Sequence, residues 1–101
     1  MIKHLVLWKL RESLTAAEAE AVKEDAKICL EKLKPHFKGL HKLTLIIHGL
    51  DSSTVDMCLD SEFETVEDLN NYATNPLHTN IADNYIKPYV VSRSCIDYEI
   101  L

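Results

Sequence analysis

Residues 72–78 read Tyr72-Ala73-Thr74-Asn75-Pro76-Leu77-His78, a step that predicts the end of one helix and the start of another. Pro76 has no amide hydrogen and a fixed φ, so a helix through Tyr72 should end near Asn75. Proline also suits the first turn of a helix, so a second helix should begin there and carry His78 in its first turn. Unpaired amides and the positive end of a helix dipole lower the proton affinity of an imidazole, which would leave His78 neutral and able to accept a proton.

The chain that follows this step predicts a short helix and then a strand. The second helix should end at Pro88, and residues 90–101 alternate as a strand does. One face of this strand carries Ser94, Ile96, Tyr98 and Ile100, and the other carries Arg93, Cys95, Asp97 and Glu99. The segment therefore holds a tyrosine, a histidine and an aspartate that the fold could bring together.

The first part of the chain predicts a strand and a long helix. Residues 2–10 alternate, with His4 on the more apolar face, where it is either a structural histidine or a site residue. Thr15 and Glu18 match a capping box, and residues 13–37 have the apolar spacing of a helix. The buried stripe of that helix is predicted to comprise Val22, Ala26, Cys29, Leu30, Leu33 and Phe37. The charged residues between them, such as Glu24, Lys27 and Glu31, are expected to face solvent.

Two further strands are predicted at residues 40–48 and 55–63, with a turn at 49–53, and Thr65 should cap the next helix. The element order is then β-α-β-β-α-β, the α+β ferredoxin-like arrangement with helices on one face of an antiparallel sheet. The other face needs a cover, and a homodimer with facing sheets would provide it.

Composition limits the function classes. The chain has 101 residues, which predicts a single domain over residues 1–101. The formal net charge of −5 argues against nucleic acid or an anionic membrane as a partner. Three widely spaced cysteines and no CxxC motif favour a reduced, cytoplasmic setting, and we expect neither a secretory leader nor a membrane span.

The ordered set of these motifs resembles the stress-responsive dimeric α/β-barrel family. The resemblance is carried by residues 2–7, 60–64 and 69–72, by Asn75-Pro76-Leu77-His78, by Tyr85-Ile86-Lys87-Pro88, and by Asp97-Tyr98-Glu99. It covers nearly the whole chain and implies a dimeric α/β barrel. The family is also similar to a plant polyketide cyclase, olivetolic acid cyclase. That likeness implies a site built from Tyr72, His78, Asp97 and His4. The chain has Asn75 where a histidine commonly precedes the proline.

The chemistry implied by these residues is proton abstraction next to a carbonyl. His78 would act as the base, Asp97 would orient its imidazole, and Tyr72 or His4 would donate a hydrogen bond to the enolate oxygen. The ligand would be a small apolar or aromatic carbonyl compound, and the reaction a cyclisation or isomerisation. The alternative is a non-catalytic stress-response or ligand-binding module in which His78 is structural.

No cofactor or metal is predicted. His36, His41 and His48 lack the spacing of a metal motif, and His4, His78 and Asp97 could form a ligand set only if the fold brought them together. The chain has two glycines and no glycine-rich phosphate loop.

Overall fold

The computed structural model describes all 101 residues, as four strands and a set of helices on one side of them. The strands are β1 (Ile2–Leu10), β2 (Leu40–Ile46), β3 (Met57–Phe63) and β4 (Val90–Glu99). The α-helices are α1 (Ala16–Glu31), α2 (Val66–Thr74) and α3 (Pro76–Ile81). A turn of π-helix (Ala82–Ile86) and a 3-10 turn (Lys87–Tyr89) join α3 to β4. The predicted α+β, ferredoxin-like order is confirmed, with α2 and α3 as the two halves of the second helix.

The sheet is antiparallel, in the order β2-β3-β1-β4. Along β1 the residues that face the helices, from His4 to Leu10 in steps of two, are buried. The register pairs His4 with Asp97, Val6 with Cys95 and Trp8 with Arg93. Cross-strand partners share a face of the sheet, so Arg93, Cys95 and Asp97 lie on the helix side, as the alternation predicted.

Helix α1 has the predicted cap at Thr15, but it begins later than residue 13 and ends earlier than residue 37. Thr15 caps it, with the reciprocal capping box to Glu18. The helix stops at Glu31, and Pro35 lies in a separate 3-10 turn (Lys34–His36), so the predicted helix over residues 13–37 was too long at its C-terminal end. The reason is local: Pro35 cannot donate the amide hydrogen bond that a continuing helix needs.

The charged face of α1 is not wholly solvated, contrary to the prediction. Strand β2 is an edge of the sheet, and its residue Leu45 has a free amide and carbonyl on the outer side. The Glu31 carboxylate accepts a hydrogen bond from the Leu45 amide at 2.9 Å, and the Lys27 ammonium donates to the Leu45 carbonyl at 2.8 Å. Lys27 and Glu31 also pair with each other at 2.7 Å. The two side chains therefore satisfy backbone groups that an edge strand leaves open.

The helix break at Pro76 forms as the sequence predicts. The hydroxyl of Thr65 accepts from the Asp68 amide and caps α2. Asn75 ends α2 with extended backbone angles, and its side-chain oxygen accepts from the Leu77 amide at 2.9 Å. Asn75 thus closes one helix and caps the next, which is a common role for this residue type.

The sheet face opposite the helices is uncovered in the single chain. It exposes apolar side chains, among them Ile46, Ile96, Tyr98 and Leu7. On the same face, Lys3 donates to Asp60 at 2.6 Å and to Glu62 at 2.7 Å, and these hydrogen bonds raise the pKa of Lys3 to about 12. Lys42 also pairs with Asp60 at 2.7 Å. None of the helices is long and apolar enough to span a membrane.

Candidate active site

A cavity of about 360 Å³ lies between the sheet and the broken helix. Its volume falls within the ~300–1,000 Å³ that is typical of small-molecule sites. The wall is mainly apolar, from Val6, Trp8, Leu30, Leu59 and Ile86. Its polar and charged side chains are His4, His78, Thr79, Asp83, Lys87 and Arg93. The two histidines singled out in the sequence therefore line the same cavity.

His4 is held by Asp97. They are cross-strand neighbours, and the Nδ1–H of His4 donates a hydrogen bond to the Asp97 carboxylate. The His4 residue is 7% exposed, whereas the Asp97 side chain is 47% exposed. The carboxylate fixes the proton of His4 on Nδ1, and this leaves Nε2 as the ring nitrogen available to a ligand.

His78 is oriented by a backbone carbonyl. Its Nδ1 lies 3.2 Å from the carbonyl oxygen of Ala73, five residues earlier across the helix break, so Nδ1–H donates there. Burial lowers the pKa of His78 below its usual value, and the positive charges of His4, Arg93 and Lys87 act in the same direction. The lowered proton affinity that the sequence predicted is present, but desolvation is its largest cause.

Asp97 contacts His4, so the prediction that it would orient His78 was wrong. The sequence could not distinguish the two pairings. The register of β1 and β4 places Asp97 beside His4, and the helix break places His78 beside the Ala73 carbonyl. That carbonyl, and not Asp97, accepts the hydrogen bond from Nδ1–H that orients His78.

Tyr72 lies behind His78 and is absent from the cavity lining, contrary to the prediction. Its ring centroid is 4.3 Å from that of His78, and it also packs against Phe37 and Phe63. The residue is 0% exposed and its hydroxyl has no hydrogen-bond partner. Burial raises the pKa of Tyr72 far above its usual value. Tyr72 therefore supports the His78 ring by packing, and its hydroxyl does not reach the cavity.

Arg93 and Lys87 are lining residues that the sequence analysis did not identify as site residues. Lys87 pairs with Asp83 at 2.8 Å, while none of the ion pairs in the chain includes Arg93. The alternation of β4 put Arg93 on the same face as Asp97, and that signal could have placed it in the site.

Cys95 joins His4 and Asp97 in a group of potential metal ligands. The Cys95 sulfur lies 3.7 Å from Nδ1 of His4 and 3.6 Å from the Asp97 carboxylate, and the three ligand atoms fall within 4.8 Å of one another. A histidine, a thiolate and a carboxylate are donors that Zn²⁺ accepts. Burial and the neighbouring Asp97 raise the pKa of the Cys95 thiol, which disfavours the thiolate that a metal requires.

The chain belongs to the stress responsive A/B barrel domain (Dabb) family, whose model matches residues 2–100. The sequence matches none of the curated proteins with which it was compared.

Solved structures share the fold over nearly the whole chain. A dimeric, ferredoxin-like protein of unknown function from Bacteroides fragilis is 30% identical, with a TM-score of 0.91, over 98% of this chain and 95% of that one. A Dabb family protein from Mesorhizobium loti is 21% identical, with a TM-score of 0.74, over 99% of this chain and 96% of that one. A hydroxynitrile lyase from Passiflora edulis is 16% identical, with a TM-score of 0.72, over 99% of this chain and 93% of that one. The last two show likeness of fold alone.

Proposed function

We propose that this protein binds a small, mainly apolar carbonyl compound and removes a proton from the carbon next to the carbonyl, in a cyclisation or isomerisation. The observation that carries the proposal is the state of His78. This half-buried imidazole lines the cavity, has a lowered pKa, and has Nδ1 occupied by the Ala73 carbonyl. Nε2 of a neutral imidazole held in this tautomer is an acceptor for a proton.

His4 supplies the second part of the reaction. Removing a proton next to a carbonyl places negative charge on the carbonyl oxygen, and a positioned donor or positive charge stabilises that oxygen. His4 is held by Asp97 through Nδ1, and its Nε2, when that atom carries a proton, is such a donor. Asp97 thus acts through His4 as a positioning residue, and His78 acts separately as the base.

The fold is compatible with enzyme activity, since a hydroxynitrile lyase from Passiflora edulis has it. The second candidate function is a non-catalytic ligand-binding module. The hydrogen bond from His78 to the Ala73 carbonyl favours this reading, because it pins α2 to α3 across Pro76 and gives the histidine a structural role. Both readings use the same cavity and differ in whether His78 takes a proton from the ligand.

Hydrogen–deuterium exchange distinguishes the two functions. The probe is butyrophenone, an uncharged aryl ketone, incubated with the protein in D₂O while NMR follows loss of the proton signal next to the carbonyl. Catalysis predicts exchange above the buffer rate, and its loss in His78→Gln with the fold retained. Exchange at the buffer rate for the native protein would favour the binding module. His36→Gln, on an exposed histidine outside the cavity, is the matched control.

We also propose that the chain forms a homodimer through the uncovered sheet face. Exposed apolar side chains share that face with the Lys3–Asp60–Glu62 group, and the similar protein from Bacteroides fragilis is dimeric. A second copy would cover this face and leave the cavity, which lies on the helix side, open to ligand.

A further inference from the structure

The positive and negative charges of the side chains that line the cavity do not cancel. Lys87 and Asp83 neutralise each other, at 2.8 Å. Arg93 has no carboxylate partner in the chain, and its positive charge acts on His78 together with that of Lys87. Among the lysine, arginine and aspartate side chains that line the cavity, Arg93 is therefore one unbalanced positive charge, in a chain whose formal net charge is −5. A field of this sign concentrates anions at a mainly apolar cleft.

We infer that the ligand carries a carboxylate, which Arg93 binds, on an otherwise apolar body that contains the reacting carbonyl. The inference rests on the proposed function and specifies its substrate class. A guanidinium offers two parallel N–H donors that match the two oxygens of a carboxylate, and such charge-assisted pairs are among the stronger hydrogen bonds. The apolar body would lie against Trp8 and Leu59, which line the same cavity.

The strand register sets the distance between the two ends of the ligand. His4 is paired with Asp97, and Trp8 is paired with Arg93, so Arg93 lies four residues along the strand from the level of His4. Four residues of strand span roughly 13 Å. The long side chain of Arg93 covers part of that span, and the ligand must cover the rest. The carboxylate is therefore separated from the reacting carbonyl by a few bonds and is not attached to the carbonyl carbon.

A metal ion at His4, Cys95 and Asp97 is the competing use of this region. Arg93 also lies on the helix side of β4, two residues from Cys95, and its charge opposes a cation there. The same charge favours an anion, so the electrostatics of the cavity select the carboxylate.

Binding of a matched pair of ligands tests the inference. The pair is 4-oxo-4-phenylbutanoate and its uncharged amide, which share the aryl ketone and differ only in the carboxylate. Dissociation constants are measured by calorimetry or NMR titration for the native protein, Arg93→Gln, Arg93→Lys and Lys34→Gln. Lys34 is exposed, lies outside the cavity and has no ion-pair partner, so its variant controls for loss of one positive charge.

We expect the native protein and Lys34→Gln to bind the carboxylate up to about fivefold tighter than the amide, which is the upper range for an ion pair at an exposed position such as Arg93. Arg93→Gln should bind both compounds equally, and Arg93→Lys should keep part of the preference because the charge remains. Equal binding of the two compounds by the native protein, or no binding of either, would overturn the inference. So would a preference that survives in Arg93→Gln. The proposed function is tested separately by exchange of uncharged butyrophenone in the native protein, so either claim can fail alone.

Discussion

His4 and Asp97 lie directly opposite each other in the register of β1 and β4, and the Nδ1–H of His4 donates to the Asp97 carboxylate. The site therefore depends on the pairing of the first and last strands. The Asp97 carboxylate is half exposed and the His4 imidazole is buried, so the hydrogen-bonded pair extends from the solvent to the wall of the cavity. Asp97 positions His4 in this arrangement. The pairing of β1 and β4 is irregular only between Lys9 and Leu10, so the register is regular where His4 and Asp97 lie.

The first prediction concerns Asp97→Asn. A neutral amide is a weaker hydrogen-bond acceptor than a carboxylate, so His4 is held less firmly and the enolate loses a positioned donor. We expect the rate of butyrophenone exchange to fall by about tenfold or more, with the melting temperature nearly unchanged. The measurement is NMR exchange together with thermal unfolding. Asp51→Asn, in the exposed turn, is the control, and an unchanged rate in Asp97→Asn would remove Asp97 from the mechanism.

The second prediction concerns the buried hydroxyl of Tyr72. It has no hydrogen-bond partner, so replacing the residue with phenylalanine removes an unsatisfied polar group and keeps the packing against His78. The free energy of unfolding of Tyr72→Phe should stay equal or rise by about 1 kcal/mol. Chemical denaturation measures this difference.

Tyr72→Ala is the contrasting variant, because it removes the whole ring from the core. It should lower the free energy of unfolding by about 3–5 kcal/mol. A clear loss of stability in Tyr72→Phe would show that the hydroxyl has a hydrogen-bond partner in solution. A loss of exchange activity in the same variant would show that the hydroxyl takes part in the reaction.

The third prediction concerns the contact between α1 and the edge strand. Glu31→Ala leaves the Leu45 amide without the acceptor that it has in the structure. We expect a loss of about 1–2 kcal/mol in the free energy of unfolding. Glu24→Ala, on an exposed position of the same helix, should change it by less than about 0.5 kcal/mol. Equal effects of the two substitutions would mean that the Leu45 amide is satisfied by water.

The fourth prediction concerns the uncovered sheet face. Ile96 is paired with Leu5 on this face and is 59% exposed in the single chain. A permanent dimer interface typically buries more than about 2,000 Å² in total. Light scattering should therefore give the mass of a dimer for the native protein, in the presence or absence of reducing agent.

Ile96→Asp places a charge in that interface and should give a monomer. Val66→Asp, which alters an exposed apolar residue at the start of α2, should leave the dimer intact. A folded native monomer at micromolar concentration would exclude the proposed interface.

Much of the fold could be predicted because local signals agree with the final structure. The alternation of β1 and β4 is unbroken across His4 and Asp97, and Thr15, Thr65 and Pro76 mark helix boundaries by their own chemistry. The C-terminal end of α1 was harder to predict, since the apolar spacing continues through Leu33 and Phe37 after the helix has ended.

Of the four residues predicted to line one cavity, His4 and His78 do so, whereas Asp97 is absent from the lining and contacts His4, and Tyr72 lies behind His78. The topology alone brings His4, His78 and Asp97 to one region. Which of the two histidines Asp97 contacts depends on a few ångströms of side-chain placement, and the Ala73 carbonyl that orients His78 carries no sequence signal. The resemblance implied that Tyr72 belongs to the site, but packing against Phe37 and Phe63 holds its ring in the core.

The fifth prediction tests the central claim, that His78 acts as a neutral base, through the pH dependence of butyrophenone exchange. The pKa of His78 is lowered, so the base form should persist to lower pH than for an ordinary histidine, whose pKa is about 6.5. The exchange rate should rise with pH and reach half its maximum below pH ~6.5. His78→Gln should exchange at the buffer rate across the whole range. A native protein that exchanges no faster than buffer, or a His78→Gln protein with the native profile, would contradict the account.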